Sequence, residues 1–235
     1  KLASDIFAFI EPFAGYGFNR SHAACYAMIG YQTAYLKANY PSEFMAALLT
    51  SDQQDTDRIA IEIEECRHMK ISIQQPDLNQ SFDNFTVVTS GTAINQIAPT
   101  GEQPTTIRFG LKAIKNVGEH IAEIIIKERK DNGPYKNVAD FLQRIEDKDL
   151  NRKSLESLIK RGSVDSLGER GQLLANLDLM VNFHKDFNQR KNNHQISLFS
   201  TMSEDTSLPQ IRLANAPEAT RDEKLTWEKE LLGLY

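Results

Sequence analysis

The stretch Leu111-Lys112-Ala113-Ile114-Lys115-Asn116-Val117-Gly118-Glu119-His120-Ile121-Ala122-Glu123-Ile124-Ile125 decides how this chain is read. A short apolar-spaced run is broken by Asn116 and Gly118, after which Ile121, Ala122, Ile124 and Ile125 resume at helical spacing. This is the layout of a helix-hairpin-helix: a short first helix, a tight hairpin around Gly118, then a second helix. A hairpin that opens a helix N-terminus presents unpaired backbone N–H groups and the positive end of the helix dipole, which suits one phosphate of a DNA backbone and reads no bases. Lys112 and Lys115 would add side-chain cations. Such hairpins usually carry Gly at both ends, whereas here the first is Asn116, a residue that tolerates positive φ better than other non-glycine residues. The same pattern also serves as a plain helical hairpin packing its own core, and this stretch alone leaves both readings open.

Working outward, Asn151-Arg152-Lys153-Ser154-Leu155-Glu156-Ser157-Leu158-Ile159-Lys160-Arg161-Gly162 reads as a second, more degenerate copy, with Gly162 supplying the equivalent turn. Residues 110–162 hold twelve Lys and Arg against nine Asp and Glu, a local +3 in a chain of net charge -5. An acidic chain is poorly suited to tight autonomous binding of nucleic acid, but a basic segment within it suits local DNA contact inside a larger assembly. The DNA-contact candidates are Lys112, Lys115, Asn116 and Gly118 in the first copy and Arg152, Lys153, Lys160, Arg161 and Gly162 in the second.

The rest of the chain reads as mainly α with a small antiparallel β insert. Residues 4–11 end a helix at Pro12, and Phe13–Phe18 carries two glycines that permit a tight turn. From Ser21 to Tyr40, the residues Ala24, Met28, Tyr31, Tyr35 and Leu36 recur at three- and four-residue steps, predicting a helix with one buried face; Tyr26, Tyr31 and Tyr35 are expected in the core rather than as base-stacking platforms. Pro41 opens a helix to Thr50, and Asp52–Met69 forms another with Ile59, Ile63 and Cys66 inward. Ile71–Ile73, Phe82–Thr89 and Thr105–Phe109 are β-branched or aromatic and read as short strands. Helical patterns return at Gly118–Lys130, Val138–Ile145, Arg152–Arg161, Gly171–Asn188 and Arg221–Leu232. Arg20, Ser21 and His22, preceded by Asn19, sit at a helix start, where they could face nucleotide or template or simply cap the helix.

With 40% hydrophobic and 25% charged residues over 235 positions, the composition is that of a folded globular chain. There is no membrane-length apolar run. The opening Lys1–Asp5 lacks an initiator Met and a signal-peptide layout, both ends read as cut from a longer polypeptide, and a cytoplasmic location is expected. Cys25 and Cys66 form no CxxC and are expected reduced and buried. Asp52, Asp55 and Asp57 fail the calcium-loop pattern, and the five histidines show no metal-ligand spacing, so no metal site is expected. No nucleophile–base pair or phosphate-binding GxxxxGK[ST] loop marks a self-contained enzyme.

The run Phe13-Ala14-Gly15-Tyr16-Gly17-Phe18-Asn19-Arg20-Ser21-His22-Ala23-Ala24 resembles a hallmark of the fingers of the bacterial DNA polymerase III α subunit, the C-family replicative polymerases, and Tyr31–Ala47 continues the likeness. The tandem hairpin region and the closing Glu230-Leu231-Leu232-Gly233-Leu234-Tyr235 follow in the family's order. Arg20 stands where Lys is usual, Cys25 where a small residue is usual, and Ser163-Val164 where Ala and an aromatic or large apolar residue are usual. The resemblance implies nucleotidyl transfer by two metal ions on palm carboxylates that lie upstream and have no counterpart here. Magnesium is therefore expected for the full-length polymerase and no cofactor for this piece, which alone should be inactive.

On that reading, residues 1–70 are the helical C-terminal part of the fingers, 71–110 a small β connector, 111–190 a tandem helix-hairpin-helix region, 191–220 a linker and 221–235 the start of a following region. Within the linker, Gln195-Ile196-Ser197-Leu198-Phe199 resembles the sliding-clamp-binding consensus and falls where the family places it. An apolar Leu-Phe pair in a polar stretch also seeks a pocket on physical grounds. The expected partners are double-stranded DNA, the sliding clamp and other replicase subunits, with no membrane. The alternative is a free-standing helix-hairpin-helix module for DNA repair or scaffolding, which leaves the fingers-like run unexplained.

Overall fold

The computed structural model describes residues 1–11, 19–88, 106–192 and 211–232. In chain order the elements are α1 (Leu2–Ile10), α2 (Arg20–Asn39), α3 (Pro41–Ser51), α4 (Thr56–His68), β1 (Ser72–Gln74), β2 (Thr86–Val88), β3 (Thr106–Arg108), α5 (Glu119–Asn132), α6 (Val138–Arg144), α7 (Arg152–Lys160), α8 (Arg170–Ala175), α9 (Leu177–Asn192) and α10 (Arg221–Leu232), with a 3-10 turn at Leu111–Ala113 before α5. The chain is mainly α with a small β insert, as its patterning predicts.

Two apolar clusters organise it. In the first, Met45 and Leu49 of α3 and Ile59, Ile63 and Cys66 of α4 pack on Ile71, Phe85, Ile107 and Phe109 around the sheet. Pro41 starts α3 at a position where its missing N–H costs nothing, and the Asp55 side chain caps α4 by accepting the Arg58 N–H at 3.2 Å. The sheet order is β1-β3-β2. β2 runs antiparallel to β3, with Val87 opposite Ile107, but β1 runs parallel to β3, with Ile73 opposite Ile107, so the sheet is mixed rather than wholly antiparallel. Residues 75–85 carry the chain round through a turn in which the Ser81 hydroxyl accepts the Asp77 N–H and donates to the Phe109 carbonyl; β3 then enters between its two neighbours.

The second cluster joins Leu111, Ile114, Val117, Ile121 and Ile125 to Phe141 and Leu142 of α6, Leu155 and Leu158 of α7, and Met180 and Val181 of α9. Tyr135 stitches α5 to the loop that follows it, donating its hydroxyl to the Ile125 carbonyl at 2.8 Å, while Arg144 stacks 4.5 Å over the Tyr135 ring and donates to the Gly133 carbonyl. One helix predicted over 171–188 is two: α8 stops at Asn176, whose amide accepts the Ala214 N–H at 2.8 Å and donates to the Ala214 carbonyl at 3.0 Å. That side chain fastens the 211–220 segment to the bundle, and Ile211 and Leu213 pack against the cluster.

α2 departs from its prediction. Tyr26, Tyr31 and Tyr35 are half or more exposed, Cys25 is exposed, and the helix buries no residue. Periodicity reports which side of a helix is apolar and not what covers it. Among the described residues α2 meets the rest of the chain mainly through its last turns and the Lys37–Glu65 pair at 2.7 Å. Cys66 is buried as expected, and burial pushes its thiol up to about 12.

Candidate nucleic-acid interface

The first hairpin hangs from the sheet. The Leu111 N–H donates to the Phe82 carbonyl at 2.8 Å and the Lys112 N–H to the Asp83 carbonyl at 3.0 Å. That approach requires Gly110, where a Cβ would run into the Asp83 backbone. Leu111, Ile114 and Val117 point into the core, and Lys115, Asn116 and Gly118 point out. The Val117 N–H closes the turn on the Ile114 carbonyl at 3.0 Å.

Asn116 takes the left-handed conformation, at φ 66°, that the sequence assigns to it. Its amide donates to the buried Ser157 hydroxyl at 3.0 Å and so ties the hairpin to α7. Gly118 is not the residue that turns the chain: its φ is -71° and it stands as N-cap of α5. Having no side chain, it gives α5 no cap, and a Cβ built there meets nothing within 4 Å. The first turn of a fourteen-residue helix therefore opens onto a bare surface, the arrangement a helix dipole offers to an anion.

The cations around this surface differ in availability. Lys115 is exposed and forms no ion pair among the described residues. Lys112 lies 2.5 Å from Glu119 and 3.3 Å from Asp83; the Glu119 bond outweighs its partial burial and holds its ammonium above the ordinary lysine range.

The second copy is built differently. Asn151 and Ser154 form a reciprocal cap on α7, with Asn151 accepting the Lys153 and Ser154 N–H groups and the Ser154 hydroxyl accepting the Asn151 N–H. At the other end the Ser163 N–H bonds to the Leu158 carbonyl and the Gly162 N–H to the Ile159 carbonyl, with Gly162 at φ 76°, a glycine-terminated helix end. Arg161 and Gly162 are buried, and a Cβ on Gly162 would strike the Arg170 guanidinium. Arg170 itself bonds Asp165, Glu228 and Gln75. Lys160 is half-buried and pairs with Glu156 at 2.9 Å, Arg152 pairs with Asp178 at 2.9 Å, and Lys153 is exposed.

The hairpin faces α3 and α4 across a cleft of about 1010 Å³, lined by Thr50, Gln53, Asn84, Lys115, Gly118 and Arg161 among others. The helix-start residues lie apart from it. Asn19 caps α2 by accepting the Ser21 N–H at 3.0 Å and the Ser21 hydroxyl at 2.7 Å, Arg20 and Ser21 are exposed, and His22 packs edge-on against Tyr26. Gln195, Ile196, Ser197, Leu198 and Phe199 lie outside the described residues, as does Pro12–Phe18. One cluster has no forewarning in the sequence spacing: His120 Nδ1 stands 3.2 Å from Asp149 and 3.7 Å from Asp147, three potential metal ligands within 4.8 Å of one another. The Asp-Lys-Asp loop gives no sign of it until α5 and the α6–α7 connection meet. No helix among the described residues is long and apolar enough to cross a membrane.

The family model described as a helix-hairpin-helix motif matches residues 70–173. The chain is 42% identical over its full length to the DNA polymerase III subunit alpha of Borreliella burgdorferi, covering 19% of that protein. It is 40% identical over 99% of its length to that of Thermus aquaticus, covering 17%, and 37% identical over its full length to that of Pseudomonas aeruginosa, covering 20%. The chain thus spans about a fifth of the length of the curated relatives it matches. With a helix-hairpin-helix at its centre, the chain matches the bacterial DNA polymerase III subunit alpha along its full length at 37–42% identity, as one stretch of that protein.

Proposed function

We propose that this chain is part of a replicative DNA-directed DNA polymerase and serves it by holding duplex DNA through its backbone. The observation that carries the reading is the uncapped N-terminus of α5 behind Gly118, with Lys115, unpaired among the described residues, beside it. A phosphate there accepts bonds from backbone N–H groups, and Lys115 adds charge; contact of this kind positions a duplex whatever its sequence. Lys153 is exposed at the start of α7, while Lys112, Arg152 and Lys160 meet the strand only by giving up carboxylate partners.

Nucleotidyl transfer in the family uses metal ions on carboxylates. The one group of three potential ligands among the described residues, exposed His120 with half-buried Asp147 and Asp149, sets an imidazole against two carboxylates and does not fit that role. No chemical step is assigned to these residues. Asn19, Arg20, Ser21 and His22 are proposed to lie near nucleotide or template, on the strength of the fingers-like run. Gln195–Phe199 is proposed as a sliding-clamp docking peptide, on its likeness to the clamp-binding consensus. A free-standing repair module is the weaker reading, because the match to the polymerase subunit runs the whole length of the chain.

Fluorescence anisotropy with labelled duplexes of unrelated sequence tests the DNA reading. Lys115→Glu should weaken every duplex alike and lower the slope of log affinity on log salt by about 0.9 per lost phosphate contact. An unchanged affinity and slope would leave the hairpin a purely structural device.

A further inference from the structure

Arg161 closes α7 beneath the cleft. It is 1% exposed, its guanidinium lies 5.6 Å over the Phe109 ring, and among the described residues none of its three nitrogens has a hydrogen-bond partner. Glu228, the carboxylate that acts on it through space, is already held by Arg170 at 2.9 Å and Gln75 at 2.7 Å. Burial pushes the Arg161 pKa down to about 9, which still leaves it charged at neutral pH. A desolvated cation with unused donors is costly, and a planar fork of N–H groups is shaped for an oxyanion.

The same cleft holds the bare first turn of α5 at Gly118, exposed Lys115, and the amide side chains of Gln53 and Asn84. Each supplies a donor; Glu119 also lines the cleft, and its carboxylate is bound by Lys112 at 2.5 Å.

We propose that this cleft is a phosphate site in which Arg161 is the buried cation and the α5 N-terminus the facing wall. The group it takes is a phosphate, carried either on a nucleic-acid strand or free as pyrophosphate. The inference deepens the DNA reading, since the α5 N-terminus serves both, but Arg161 belongs to it alone.

The test uses the 235-residue chain with 15N-labelled arginine side chains, titrated with sodium pyrophosphate and, separately, with a blunt duplex, in wild type, Arg161→Met and Arg161→Lys. Melting is followed in parallel. Without ligand, Arg161→Met should melt higher than wild type, because an apolar chain of similar length replaces an unpartnered buried charge. Ligand should raise the wild-type midpoint and shift the Arg161 Nε–H resonance; pyrophosphate should leave Arg161→Met unmoved and duplex should raise it less than wild type, since the hairpin remains, while Arg161→Lys responds weakly. A response to duplex alone assigns a strand phosphate, and a response to pyrophosphate assigns a free one. The proposal is overturned if Arg161→Met melts lower than wild type, since the guanidinium then has a partner already, or if all three proteins respond alike. Loss of duplex binding in Lys115→Glu, with the Arg161 resonance silent to both ligands, would sink this site and leave the hairpin reading standing.

Discussion

Substituting Asn116 separates the two things that residue does. It holds φ 66°, and its amide donates to the Ser157 hydroxyl, 3% exposed, at 3.0 Å. Alanine keeps neither: a left-handed backbone costs a Cβ-bearing residue roughly 1–2 kcal/mol. Loss of the bond removes about 1 kcal/mol more and strips the buried Ser157 hydroxyl of this donor. Asn tolerates the conformation in part, so Asn116→Ala should destabilise by about 2 kcal/mol, a fall of roughly 4–8 °C in Tm for a chain of this size. Glycine also loses the bond but is free of the backbone penalty, so Asn116→Gly should fall within about 1 kcal/mol of wild type. Urea titration and calorimetry of the three proteins measure the differences. Duplex binding read on the same samples should survive in the glycine variant and weaken in the alanine variant, since the hairpin path carries the α5 N-terminus. An alanine variant as stable as wild type, or a glycine variant worse than the alanine one, would refute the claim that backbone conformation at 116 holds the hairpin.

Glu62, 7% exposed in the α3–α4 corner, is pushed up to about 7, chiefly by burial and then by the Asp52 carboxyl beside it. Between its ordinary range and about 7 the folded chain binds the extra proton, so this group's contribution falls as pH rises through that window. Glu62→Gln should therefore match wild type in urea titrations at about pH 4 and exceed it at about pH 8 by on the order of 1–3 kcal/mol; an equal difference at both pH values would show that the carboxyl does not titrate there. The clamp reading is checked by Gln195→Ala with Leu198→Ala and Phe199→Ala, which should abolish binding to the cognate clamp in surface plasmon resonance and leave Tm nearly unchanged, whereas retained binding or a large drop in Tm would count against a docking peptide.

The elements legible in the sequence are those whose termini are written locally. Pro41 and Asp55 mark the starts of α3 and α4, and Asn116 marks the hairpin, because caps and turn residues act over three or four positions. What depends on distant segments is not legible. The break at Asn176 exists because its amide captures Ala214, 38 residues away, and nothing in the 171–188 pattern announces it. The parallel pairing of β1 with β3 has the same origin, since three-residue strands carry no signal of direction.

The binding face shows the same division with more consequence. Counting Lys and Arg in residues 110–162 finds a basic segment, yet charge is useful to a phosphate only where it is not already spent on a carboxylate. Folding brings Glu119 and Asp83 to Lys112, Asp178 to Arg152 and Glu156 to Lys160, and it sinks Arg161 beneath the cleft, where the carboxylate that acts on it, Glu228, is bound by Arg170. Gly162 likewise passes from a supposed phosphate turn to a helix end wrapped by Arg170. Of the paired positions, two form through partners at least 26 residues or a chain reversal away, outside the reach of local spacing. The hairpin that the sequence marks first, at Lys115, Asn116 and Gly118, keeps its cation unpaired among the described residues and its helix end without a side-chain cap, so the two copies share an origin in pattern but carry different surfaces.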